Sequence, residues 1–193
     1  MARTRPQASL GAAFLTVTIR VMLTVSHVLA GAAIGAAVPD GPLDNGFAFG
    51  LGVASHYLLD TVPHWENWFG KEIHGLPSGT PLTKMPPISI ASGAFDLVAA
   101  LTLFLFVFIY RQEPLPVWES AVFWGAVGAF LPDLLDNVPF ISQLVRRLKF
   151  MDWERRFHDW IHIPDEAKRR VPYLTGLITQ LIVVSLSLYL LLG

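Results

Sequence analysis

The chain predicts an all-α integral membrane bundle of about five transmembrane helices with one further amphipathic helix on the cytosolic side. Three observations carry this. Of its 193 residues, 53% are hydrophobic and only 15% are charged, against roughly 25% charged in soluble domains. Apolar runs long enough to cross a bilayer recur along the sequence. The basic residues gather in alternate connections. Fourteen Lys+Arg against fifteen Asp+Glu leave no excess of positive charge for general nucleic-acid binding. The absence of cysteine removes disulfides, thiol nucleophiles and Cys-ligated zinc.

The expected spans lie near 23–38, 46–62, 88–110, 117–138 and 172–193. The third and fifth have the length of about 20 residues that a crossing needs. The first two are short and rich in Gly and Ala, which suits close packing against neighbours and local thinning of the bilayer. The fourth carries Trp118 and Glu119 near its start and Pro132 near its end, where a missing amide predicts a kink or a locally re-satisfied break. Arg3 and Arg5 precede an apolar stretch, but Arg20 interrupts it. Residues 10–20 therefore read as an interfacial lead-in rather than a cleaved leader.

The segments before the first span, between the second and third, and between the fourth and fifth hold three, two and eight Lys+Arg. The other two loops hold only Arg111. Positive charge accumulates on the cytosolic side, so a multi-pass inner-membrane protein is expected, with its N-terminus cytoplasmic and its C-terminus outside. Residues 1–193 form one membrane domain. Leu-Leu-Asp-x-Val-Pro occurs at 58–63 and again at 134–139, which is what a parallel duplication of a two-helix unit (23–63 and 88–139) would produce.

Ionisable residues within spans are costly and mark function. His56 and Asp60 are four apart on one helical face, with His64 a turn further; Asp133 and Asp136 are three apart on another. Asp96 lies on a stripe with Ser89, Ser92, Gly93, Ala99 and Ala100, and His27 shares a face with Thr24, Gly31 and Gly35. Both are thereby expected to point into the bundle, although the Gly31/Gly35 step by itself reads as packing. The predicted topology puts all of them at the cytosolic level.

Residues 141–163 read as a basic amphipathic helix on the inner leaflet. Ile141, Leu144, Val145, Leu148, Trp153, Phe157 and Trp160 make its apolar side, and Arg146, Arg147, Lys149, Arg155 and Arg156 its polar one. His158 and His162, four apart near its end, have a spacing that can place two imidazoles on one metal.

A single intramembrane His or Asp is commonly a helix–helix hydrogen bond. Convergence is what that reading leaves unexplained, because clustered carboxylates repel or take up protons unless cations offset them. His27, His56, His64, His158, His162, Asp60, Asp96, Asp133 and Asp136 are thus the expected metal ligands. Nitrogen and oxygen donors without sulfur suit zinc first, with manganese or iron as alternatives. A set of this size suggests two ions.

Ser-His-Val-Leu-Ala-Gly (26–31), Gly-Val-Ala-Ser-His-Tyr-Leu-Leu-Asp (52–60), Pro63-His64-Trp65, Gly-Ala-Phe-Leu-Pro-Asp-Leu-Leu-Asp (128–136) and Phe-His-Asp-Trp-Ile-His (157–162) resemble motifs of the YdjM-type bacterial membrane-bound metal-dependent hydrolases. His27, Asp133, His56 and Asp60 correspond by motif, His158 and His162 by analogy. Here the Ser-His-x-x-x-Asp element precedes Pro-Asp-x-x-Asp, whose spacing is one residue longer, and a His-Arg-Gly is missing. The resemblance implies a metal-dependent hydrolase.

The residues and the resemblance together predict hydrolysis at the inner leaflet of a phosphoester or phospholipid. Asp136 would take a proton from water, and Arg155 and Arg156 would hold an anionic group. A metal-ion or proton transporter is the alternative, as is a membrane protein with a structural metal. Membrane lipids are the expected partners.

Overall fold

The computed structural model describes residues 24–62, 82–84, 87–113, 116–137, 141, 144–145, 148–161 and 173–193. Among these every regular element is helical: α1 (Thr24–Ala36), α2 (Pro42–Asp60), α3 (Pro87–Tyr110), α4 (Ala121–Asn137), α5 (Lys149–Ile161) and α6 (Tyr173–Leu192). Short 3₁₀ turns lie at Leu82–Lys84 and Val117–Glu119. The expected lead-in at 10–20 lies outside the described residues.

Element boundaries follow from local chemistry. Helix α1 runs into a turn at Ala37 and Val38 just before Pro39, which has no amide to continue the ladder. Helix α2 begins at Pro42, four residues earlier than its apolar run suggests. Proline suits the first helical position, and Asp44 adds a favourable negative charge to the first turn. The expected fourth span is divided. Val117–Glu119 forms the 3₁₀ turn, and α4 then starts at Ala121, where Asp40 Oδ1 accepts the Ala121 amide and Ser120 Oγ accepts the Val122 amide. Helix α4 continues through Pro132. The expected helix at 141–163 is interrupted among its described residues: a bend at Leu148, with i→i+3 bonds from Leu148 to Val145 and from Met151 to Leu148, precedes α5.

Helix α1 is the hub, packing on α2, α3, α4 and α6, and α4 lies against both α1 and α2. Backbones meet where glycines remove the side chain. A Cβ at Gly31 would overlap the Gly125 carbonyl, one at Gly125 would overlap Gly31, and one at Gly128 would overlap Phe49. The Gly31/Gly35 face is therefore a packing face. Gly93, by contrast, has open space around it, so the expected small-residue stripe on α3 is not a continuous contact. The apolar core of Val25, Leu29, Ala32, Phe104, Val107, Val122 and Leu191 joins α1, α3, α4 and α6. The two halves of the suggested duplication pack differently: α1 and α2 lie side by side, whereas α3 leans chiefly on α1.

Among the described residues two helices, across Gly93–Tyr110 and Leu174–Leu192, are long and apolar enough to cross a membrane. Both expose large side chains, among them Phe95, Leu101, Leu105 and Ile109 on α3 and Ile178, Ile182, Leu186 and Leu190 on α6. The described stretch of α1, Thr24–Ala36, extends about 20 Å at 1.5 Å per residue.

Candidate metal centre

One end of the bundle gathers the N-terminus of α1, the C-terminus of α2, and α5. His27, His56 and Asp60 are all buried there, and each offers a ligand atom within 4.8 Å of the others. His56 Nε2 lies 3.1 Å from Asp60 Oδ2, and His27 Nε2 lies 3.4 Å from Asp60 Oδ1. Ligands of a tetrahedral ion with bonds of about 2.0–2.1 Å stand about 3.3 Å apart, so both separations suit donors facing a shared ion. The His27 and His56 rings are 4.2 Å apart between centroids.

His56 is oriented from behind. Pro132 lacks the amide that would bind the Gly128 carbonyl, and beside this loosened stretch the Ala129 carbonyl lies 2.8 Å from His56 Nδ1. A carbonyl only accepts, so Nδ1 carries a proton. In the neutral ring Nε2 then presents its lone pair to Asp60. The Nε2 contact lacks hydrogen-bond alignment. A lone pair and a carboxylate oxygen so placed repel unless a second ring proton or a metal cation lies between them. A donor bond from the distal ring nitrogen to a carbonyl is the arrangement that holds ligating histidines in metal sites.

His158 comes from α5. Its Nε2–H donates to Asp60 Oδ2 at 3.1 Å, which makes it a partner of the carboxylate. Behind it, Glu154 Oε1 is 3.9 Å from His158 Nδ1 and accepts a 2.6 Å hydrogen bond from Tyr57 Oη. The Tyr57 ring packs edge-on against His56, His158 and Phe157. Neither Glu154 nor Tyr57 figures among the residues expected from the sequence. The Glu154/His158 spacing of four on one helix was the available signal.

The remaining expected ligands divide. Asp133 is half-buried on α4 and close enough to His56 to act on it electrostatically. Asp96 is buried, but its Oδ2 accepts the Thr24 amide at 3.0 Å, anchoring the N-terminus of α1 just ahead of His27. It stands outside the group of close ligand atoms. His64 and His162 lie outside the described residues, as do the side chains of Asp136 and Arg155. Arg156 is exposed on α5. A crevice beside His27, between α1, α2 and α6, is lined by Ser26, Leu59, Val62, Thr179, Gln180 and Val183.

The chain matches no family model, no curated protein and no solved structure.

Proposed function

We propose that the protein is a membrane-embedded metal-dependent hydrolase that works at the inner leaflet on a phosphoester or phospholipid-type substrate. The observation that carries this reading is the His56 geometry: Nδ1 held by the Ala129 carbonyl, Nε2 turned to Asp60, and His27 facing the same carboxylate. Three protein donors leave a coordination position for water, the pattern of catalytic rather than structural zinc. Zinc fits the nitrogen and oxygen set first, with manganese or iron as alternatives. The described group accommodates one ion; a second would draw on Asp133 with Asp136, His64 or His162.

Such an ion makes water a nucleophile near neutral pH and polarises a phosphoryl oxygen. The chain's own groups then have separable tasks. His158 fixes the orientation of Asp60, and Glu154, steadied by Tyr57, stands behind His158 to receive a proton. Asp136 is the other candidate base, and Arg155 and Arg156 can hold an anionic group.

Five spans, with the N-terminus inside and the C-terminus outside, account for the segregation of basic residues and for the exposed apolar faces of α3 and α6. In that topology the site lies at the cytosolic boundary, where lipid head groups are. A one-sided site favours hydrolysis over transport, which needs a route to both faces. At the other end, Arg111 and Glu113 tie α3 to α6 and α4.

The deciding experiment compares zinc-loaded protein in lipid for hydrolysis of generic phosphodiesters and for zinc uptake into liposomes. Hydrolysis without uptake, lost in His27→Ala, is the expected result. Uptake without hydrolysis would establish the transporter.

A further inference from the structure

Helix α5 has three sectors. At about 100° per residue, Met151, Glu154 and His158 share one sector, and it faces the bundle: Met151 and His158 are buried and Glu154 meets Tyr57. Phe150, Trp153, Phe157 and Trp160 form the next. Trp153 stacks on Phe157 with centroids 5.6 Å apart, and Phe157 is 6.2 Å from Trp160. Yet Trp153 and Trp160 are 70% and 78% exposed. Lys149 and Arg156, both exposed, line the far edge of this aromatic sector, and Asp152, also exposed, lies just beyond them.

Isolated helices shorter than about 12–15 residues are marginal in water. Over its described residues α5 is 13 long, and among these it rests chiefly on α2. Its contacts there include the His158–Asp60 bond, the Tyr57–Glu154 bond, the Tyr57–Phe157 rings and the packing of His158 against Tyr57 and His56. Indole rings favour the membrane–water boundary, and a basic edge favours anionic head groups. With the aromatic sector in the bilayer and the basic edge among head groups, the remaining sector faces the bundle, where His158 already is.

Building on the membrane and metal readings above, we infer that the aromatic face of α5 docks on an anionic lipid surface, and that this docking holds His158 on Asp60. Lipid contact and completion of the metal centre are then one equilibrium, because they use two faces of the same short helix.

The cysteine-free chain allows a nitroxide at one introduced cysteine, Trp153→Cys or Arg156→Cys, in nanodiscs containing phosphatidylglycerol. The label at 153 is expected to be relaxed by oxygen in lipid and the label at 156 by water-soluble chromium oxalate. In the same nanodiscs, Trp153→Ser/Trp160→Ser and His158→Ala are each expected to weaken zinc binding about 10-fold. A label at 153 reached by chromium oxalate, or shielded from both reagents by a second copy, overturns docking. Docking with zinc affinity unchanged in the double variant overturns the coupling. A wild type that binds no zinc refutes the metal reading instead, and the label depths still decide the docking.

Discussion

The two ends of the bundle both bury polar side chains, and they do so by opposite means. At the end formed by the N-terminus of α2 and the C-terminus of α3, opposite charges and caps match one another. Arg111 binds Glu113 at 2.7 Å and the Leu191 carbonyl at 3.0 Å, Ser120 donates to Glu113, and Asp40 caps α4. At the other end, three imidazoles surround the single carboxylate of Asp60, and one of them meets it without a hydrogen bond. The first arrangement fastens helices together with its own protein partners. The second brings His27, His56 and Asp60 close enough together to hold a metal ion. Burial of polar groups alone does not distinguish structure from function; the kind of partner does.

The comparison breaks most completely at the glycine contact between the two ends. Gly125→Leu drives a side chain into the Gly31 backbone and should cost about 3 kcal/mol or more. Thermal denaturation in detergent should show both ends lost together. Asp60→Asn should leave the helical circular dichroism intact and weaken zinc affinity by more than about 100-fold, beyond the range typical of outer partners. A titration against a fluorescent chelator measures this. Glu154→Gln, acting through His158, should weaken it by about 10-fold. At the opposite end, Arg111→Met removes a partly exposed ion pair and a carbonyl bond. It should lower stability by about 1 kcal/mol, seen as a small drop in melting temperature with zinc affinity unchanged. If Arg111→Met altered zinc binding as much as Glu154→Gln, the functional separation of the two ends would fail.

Much of this contrast is readable in one dimension. Helices α3 and α6 announce themselves because twenty-odd apolar residues allow little else. His56 and Asp60 are legible as a pair because a spacing of four puts them on one face, and the Gly31/Gly35 face signals a buried setting for His27. What depends on packing is not legible. Asp96 reads as a ligand, but only the approach of α3 to α1 reveals that it holds the Thr24 amide. Glu154 looks like one charge among many on a basic helix until Tyr57 of α2 is set beside it. The early start of α2 is hidden because its first turn is polar, with Asp44 and Asn45, although Pro42 suits the position. The division at Val117–Glu119 reflects caps drawn from Asp40 and Ser120, one of them on a distant loop.

The most direct test of the central claim is the metal content of protein purified without chelators, measured by elemental mass spectrometry for wild type and His56→Ala. The geometry of His27, His56 and Asp60 predicts about one transition-metal ion per wild-type chain and none in the variant. A metal-free wild type, or equal metal in both proteins, would contradict it.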